Sequence, residues 1–261
     1  MFAEERQRLM VELVSSTGRV TVADLAAQLD ITRETVRRDL AQLEQEGRLR
    51  RVHGGAVAGG GASTAEESLS VRTSLNHGQK SRIAARAVEL LPTGASSVVL
   101  DAGTTTELLA QAMASTLPAQ RSNDLLVLTH SVPVAYRIAR AGSFQLEVIG
   151  GRVRALTSAA IGTSTIDQFR ALRPDIAFVG ANGIHASFGL STPDPLEAAV
   201  KSAIVACARR VVVLADSSKL GQETLLRFAG LDQVDTLVTD TTPDTGLAAA
   251  LEDADVEVVL A

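Results

Sequence analysis

The run TRETVRRDLAQLEQEGRLRRVHGGA, residues 32–56, constrains this chain more than any other stretch. Thr32 is placed to cap a helix, because its hydroxyl can accept from one of the first, otherwise unpaired N–H groups. Residues 33–46 then put Val36, Leu40 and Leu43 on one helical face. Gly47 stands where a helix ends. Residues 48–52 read as a strand, and Gly54 with Gly55 as a hairpin turn. Between Arg33 and His53, arginines at 33, 37, 38, 48, 50 and 51 outnumber the acids at 34, 39, 44 and 46. A short helix with arginines near its start, followed by a basic hairpin, has the shape of an element that enters a DNA groove.

The residues upstream complete a small domain. Leu9, Met10, Leu13 and Val14 recur at helical spacing, so residues 3–16 form a first helix that Gly18 stops. Thr21, between Val20 and Val22, caps the helix ADLAAQL, and Asp30 with Thr32 marks the next turn. Three helices and a hairpin over residues 1–57 make a winged helix-turn-helix. Residues 58–65, within AVAGGGASTAEE, are the flexible linker expected of glycines and small polar residues.

From residue 66 the texture changes. Apolar strands alternate with helical patterns in SVVLDAG, LLVLTHS, QLEVIGG, IAFVGAN, RVVVLADS, VDTLVTD and the terminal VEVVL. Near-continuous Val, Leu and Ile in such strands implies a mostly parallel sheet covered by helices on both faces. The fold class is therefore α/β, with a winged helix-turn-helix ahead of a larger α/β domain over residues 66–261. No internal repeat is visible.

Composition limits the function classes. With 46% hydrophobic and 21% charged residues the chain reads as globular, and no apolar run approaches the roughly 18 residues of a membrane span. MFAEERQRLM carries acids and no apolar core, so it is not expected to be a signal peptide. Cys207 is the single cysteine, which precludes an intrachain disulfide and reads as a buried core thiol. These features place the chain in the cytoplasm. A net charge of −5 argues against nucleic-acid binding over the whole surface, so the basic charge of residues 33–53 is local.

In a helix-turn-helix the first turns of the recognition helix meet base edges, here Thr32, Arg33, Glu34, Thr35, Arg37 and Arg38. Arginine pairs with guanine through two parallel hydrogen bonds, and glutamate accepts from cytosine. The wing residues Arg48, Arg50, Arg51 and His53 are placed for phosphates or the minor groove. The alternative is a solvated charged helix in a small bundle.

The segment ITRETVRRDLAQLEQEGRLRRVHGGA resembles the N-terminal domain of the DeoR family of bacterial transcriptional regulators. The likeness continues through DAGTTT (101–106), IGG (149–151), GLSTPDPLEAAVK (189–201) and LADSSK (214–219), and so covers nearly the whole chain. The resemblance implies a repressor of a carbohydrate-metabolism operon, released by a phosphorylated sugar, with a sensor domain similar to sugar-phosphate isomerases. The start MFAEERQ and the run GGRVRALT look most like the fructose-operon type, which implies fructose 1-phosphate. Two positions depart from the family pattern: His130 stands where Asn is common, and Asn182, in GANG, where Asp is common.

In the larger domain DAGTTT follows a strand and precedes the helix ELLAQAM. Gly103 lets the backbone turn, and Thr104, Thr105 and Thr106 offer hydroxyls and N–H groups at a helix N-terminus, which suits phosphate. Gly151 and the SSK turn also fall at strand ends, where open α/β sheets bind ligands. Lys219 is the first candidate cation, followed by Lys201 and Arg152; Lys80, near Arg72 and Asn76, is a further one that the resemblance supports. Asp101, Asn182, Glu197 and His130 are candidates for sugar hydroxyls. His77 and His185 show no partner pattern, and neither a metal spacing nor a need for a cofactor is evident.

The competing reading is a sugar-phosphate isomerase with an accessory DNA-binding domain, using Asp101 or Glu197 as base; Asn182 in place of a carboxylate weakens it. The repressor reading assigns no catalytic residue. Its partners are double-stranded operator DNA and a small sugar phosphate, with no membrane. One short recognition helix reads too few base pairs alone, so a homo-oligomer, dimer or tetramer, is expected. An activator remains open, because activation or repression depends on where the operator lies.

Overall fold

The structure, a computed structural model, describes residues 3–17, 19–45, 48–52, 54–58, 69–94 and 96–261. The chain divides into two compact units, Met1–Ala65 and Glu66–Ala261. Among the described residues no helix is long and apolar enough to cross a membrane.

The smaller unit runs α1 (Ala3–Thr17), β1 (Arg19–Thr21), α2 (Val22–Gln28), α3 (Arg33–Gln45), β2 (Leu49–Val52) and β3 (Gly55–Ala58). Met10, Val14, Leu25, Val36, Leu40, Leu43 and Leu49 form its core, as the 3.6-residue spacing requires. Thr21 caps α2, its hydroxyl accepting from the Asp24 N–H at 3.1 Å. Asp39 faces inward, where it accepts from Arg6 Nε at 2.6 Å and ties α3 to α1. Gly18, Glu46, Gly47 and His53 lie outside the described residues, as does most of the expected linker.

Strand β1 was not legible in the sequence, because three residues are too few to show alternation. It pairs antiparallel with β3, and β3 with β2, in the order β1-β3-β2. Gly55 makes this closure possible: a Cβ there would sit 2.0 Å from the Val20 carbonyl oxygen.

The larger unit opens with α4 (Leu69–Ser74) and α5 (His77–Glu89). All seven expected strands form: β4 (Ser97–Leu100), β5 (Leu126–Thr129), β6 (Gln145–Val148), β9 (Ile176–Gly180), β12 (Val211–Leu214), β14 (Thr236–Thr239) and β15 (Glu257–Leu260). They make one parallel sheet in the order β15-β14-β12-β9-β4-β5-β6. Successive strand residues alternate between two cores. Val98, Leu100, Phe178 and Val212 pack with α5, α6 (Thr104–Thr116) and α8 (Val132–Ala141). Val99, Ala177, Val179 and Val213 pack with α9 (Thr163–Arg170), α10 (Pro195–Cys207) and α11 (Thr245–Asp253). Burial on both faces is why inner strands such as β9 and β12 read as unbroken apolar runs, while the edge strands β6 and β15 keep exposed polar residues. A short α7 (Ala119–Asn123) precedes β5.

Two antiparallel additions went unread in the sequence. One is the hairpin β7 (Arg152–Arg154) with β8 (Ala159–Ile161); the other is the sheet β10 (Gly183–His185), β11 (Gly189–Thr192) and β13 (Leu226–Ala229). Cys207 is a core thiol, and burial pushes its pKa up to about 11.

The chain runs from β4 outward through β5 and β6, then returns to β9 on the other side of β4. The direction of winding therefore reverses between β4 and β9, which opens a crevice at their carboxyl ends. Gly55→Ala is expected to destabilise the smaller unit by about 1–3 kcal/mol through overpacking against Val20. Urea denaturation followed by circular dichroism reads this, and an unchanged midpoint would rule out the close approach as a constraint.

Candidate functional site

In the smaller unit the start of α3 is built for presentation. The Thr32 hydroxyl accepts the Thr35 N–H at 3.2 Å, which satisfies one of the helix's first donors. Arg33, Glu34, Arg37 and Arg38 are exposed and Thr35 half-buried, while Val36, Asp39 and Leu40 face the core. The Arg37–Glu34 contact, 3.4 Å between exposed groups, is worth little in water and does not hold either side chain. Arg48 is exposed at the entry to β2, and Arg50 and Arg51 lie on that strand.

In the larger unit the crevice between β4 and β9 is closed by a buried ion pair. Asp101 follows β4 and is fully buried. Its Oδ2 accepts from Lys201 Nζ, on α10, and from the Gly180 N–H at 3.0 Å. Lys201 also donates to the Gly180 carbonyl at 2.8 Å, and its ammonium lies 5.5 Å from the Phe228 ring centre. Burial alone would raise the Asp101 carboxyl, but the Lys201 charge and hydrogen bonds from His130 and Lys201 outweigh it and hold the pKa at about 2. The pair ties β4, β9 and α10 into one rigid floor.

His130, after β5, extends this floor. Its Nδ1 faces the Ala160 carbonyl oxygen at 2.8 Å, an atom that only accepts, so Nδ1 carries a proton. Its Nε2 lies 3.0 Å from Asp101 Oδ1 and 3.2 Å from the Ala102 nitrogen. Phe169 meets the ring edge-on at 5.8 Å. Both ring nitrogens are therefore engaged by protein, and His130 joins the β4 end to the β7–β8 hairpin.

Above this floor is the start of α6. Thr106 donates to the Gly103 carbonyl at 2.9 Å and is consumed by the turn. Thr104 and Thr105 are buried, and among the described residues their hydroxyls have no protein partner. Gly103 caps the helix with extended backbone and no side-chain cap, so the first N–H groups of α6 stay unsatisfied. A helix N-terminus with open N–H groups and two free hydroxyls is a place suited to an anion.

The remaining expected residues separate into two sets. Gly151 is required by packing, because a Cβ would lie 2.1 Å from Thr165 Oγ1. Asn182 Oδ1 accepts from Thr192 at 3.1 Å. Glu197, on α10, is buried and accepts from Arg154 at 3.2 Å and from Thr157. Lys80 is buried on α5 and donates to the Arg72 carbonyl at 2.6 Å. Lys219 and Arg152 are different: Lys219 is half-buried in the turn after β12, Arg152 is exposed, and among the described residues neither has an ion-pair partner.

Sequence reasoning missed Arg154, which pairs with both Asp194 and Glu197 at 3.2 Å. It also missed Asp216, whose side chain accepts the Ser218 N–H, and Asp240, which accepts the Ser217 N–H at 2.6 Å. Asp194 and Asp216, placed immediately before helical turns, are the kind of cap that the sequence does signal. Among the described residues no group of three or more His, Cys, Asp or Glu could hold a metal ion.

The DeoR-like helix-turn-helix family matches residues 6–59, and the DeoR C-terminal sensor domain family matches residues 75–241. The HTH-type transcriptional regulator GlpR of Haloferax volcanii is 34% identical over 259 residues, 99% of this chain and 98% of that protein. The uncharacterized HTH-type transcriptional regulator FruR of Bacillus subtilis is 34% identical over 92% of each chain. The glycerol-3-phosphate regulon repressor of Escherichia coli is 28% identical over 98% of each. Ribose 5-phosphate isomerase A from Methanocaldococcus jannaschii is similar at 21% identity over 56% of this chain and 55% of that one, with a TM-score of 0.40, too low to bear on function.

The Asp101 carboxyl sits below its ordinary value near 4, so its stabilising contribution is present above about pH 4 and lost as pH falls towards 2. Asp101→Asn is expected to remove that acid dependence and to cost about 3–5 kcal/mol at pH 7, because Lys201 is left buried without a counter-charge. Urea midpoints across pH 2–7 measure both effects. Equal stability of variant and parent at pH 7 would contradict the assignment.

Proposed function

The chain belongs to the DeoR family of transcriptional regulators, and from that premise we propose that it represses a carbohydrate-phosphate operon and leaves its operator when a phosphorylated sugar binds. The observation that carries the effector half is the unpartnered anion cradle at Thr104 and Thr105, on the same carboxyl edge of the sheet as the unpaired Lys219. Lys201 is a weaker phosphate ligand than Lys219 in this reading, because Asp101 already neutralises it. Asn182 and Arg152 are the further effector residues in this reading, while Asp101 and His130, whose polar atoms are engaged by protein, hold the floor beneath them. Fructose 1-phosphate is the first effector to test, given the resemblance of MFAEERQ and GGRVRALT to the fructose-operon type, with glycerol 3-phosphate second, given the regulon named for the Escherichia coli relative.

The DNA half rests on exposed Arg33, Arg37 and Arg38 at a well-capped helix start, with the wing arginines beside phosphates. In this assignment residues 1–57 are the DNA head, 58–65 the linker and 66–261 the sensor. Two heads on a dimer or tetramer read paired half-sites, and the effector must favour one arrangement of those heads over another to act at all. An isomerase reading is not favoured: its candidate bases Asp101 and Glu197 are held by Lys201, His130, Arg154 and Thr157, and the relatives are named as regulators and repressors.

Arg37→Ala and Arg38→Ala are each expected to weaken operator binding by about 1–3 kcal/mol while leaving sugar-phosphate binding intact. Lys219→Ala is expected to do the reverse, with effector affinity falling about tenfold or more and operator affinity unchanged. Gel-shift titration gives the first quantity. A thermal-shift series with fructose 1-phosphate, glycerol 3-phosphate and ribose 5-phosphate gives the second, a ligand at a hundred times its Kd adding about 2.7 kcal/mol. Normal effector release from Lys219→Ala would show the pocket to be misplaced.

A further inference from the structure

Residues 69–76 are the first described part of the larger unit, and along the chain they lie next to the segment that leads to the DNA head. Asn76, between α4 and α5, has left-handed backbone at φ 53°, ψ 33°, and as the residue before α5 it makes no side-chain cap to that helix. Its amide is used elsewhere. Nδ2 donates to Asp216 Oδ1 at 2.9 Å and reaches Ser218 Oγ at 3.4 Å, across 140 residues of sequence. Asp216 is buried, and the same Oδ1 accepts the Ser218 N–H at 3.1 Å and the Ser218 hydroxyl. The turn that carries Lys219 is thus wired through one carboxylate oxygen to the α4–α5 junction. Four residues further along α5, Lys80 donates to the Arg72 carbonyl at 2.6 Å and fixes α4 to α5 at the same junction.

We propose that Asn76 is a positioning residue that couples the effector loop to the segment bearing the DNA head: Asp216 shares its Oδ1 between the Ser217–Lys219 turn and Asn76, so any shift of that turn on ligand binding is felt at α4. The coupling rests on the effector assignment of Lys219, but the latch itself does not. Asparagine enters left-handed backbone more readily than most residues with a side chain, and here that backbone sets its amide against Asp216, beside the Ser217–Lys219 turn. Glycine adopts that backbone without strain, so Asn76→Gly deletes the latch and keeps the turn.

Hydrogen exchange of the full chain, wild type and Asn76→Gly, with Asn76→Asp as a second variant, tests this with and without fructose 1-phosphate. Without ligand, Asn76→Gly should speed exchange about tenfold in both 69–75 and 217–219, and Asn76→Asp more so, because its carboxylate faces Asp216. A change confined to residues next to 76 would overturn the latch. With fructose 1-phosphate, wild type should slow in 217–219 and change in 69–75 together, whereas Asn76→Gly should slow only in 217–219. A response of 69–75 that survives in Asn76→Gly would overturn the coupling. If the sugar phosphate leaves 217–219 unchanged in wild type, the effector assignment of that loop falls, and the ligand-free comparison still decides the latch.

Discussion

Asp101 and Lys201 meet in a space closed to water at the point where the sheet reverses its winding. An ion pair there is costly to desolvate, and it persists only if both groups are fully satisfied. Asp101 has Lys201, His130 and the Gly180 N–H; Lys201 has Asp101 and the Gly180 carbonyl. These bonds fix the ends of β4, β5 and β9 against α10. The start of α6 then stands on a floor that cannot move piecemeal, and its open N–H groups point from a defined place.

The two halves of the molecule use charge in opposite ways. In the smaller unit the core is apolar, Asp39 is spent on Arg6, and the arginines at the start of α3 are left facing solvent. Charge there is available for phosphates and base edges. In the larger unit the charges at the strand ends are mostly paired among themselves: Asp101 with Lys201, and Glu197 and Asp194 with Arg154. Among the described residues near the strand ends an N-terminus, two hydroxyls, Lys219 and Arg152 are left without such partners, a set with the sign for a phosphate group.

Much of this was legible in the sequence. Inner strands such as β9 and β12 announced themselves because burial on both faces leaves them apolar, the edge strands β6 and β15 by fewer apolar residues beside exposed Gln145, Glu147 and Glu257, and the three helices of the smaller unit because their caps and spacing agree. The three-residue strands β1, β7 and β8 were not, since three residues show no alternation and each is defined by the strand it pairs with. The candidate site was legible in its residue types but not in its pairings. Lys201 and Lys219 look alike on paper; only the fold shows that one meets a buried carboxylate and the other does not. Arg152 and Arg154 sit two apart on one strand, and the sequence singled out Arg152, because pairing with Glu197 depends on where α10 lies. His130 marked a departure from the family pattern, but its engagement at both ring nitrogens required the positions of Ala102 and Ala160.

If sugar phosphate and operator bind to one linked system, their linkage must be reciprocal. The most direct measurement is the dissociation constant of fructose 1-phosphate for the full chain, by calorimetry, with and without saturating operator DNA, set beside the operator dissociation constant with and without the sugar phosphate. Each ligand is expected to weaken the other by the same factor, within the roughly 5–150-fold range usual for such coupling. A sugar phosphate that binds equally well to free and operator-bound protein would contradict it.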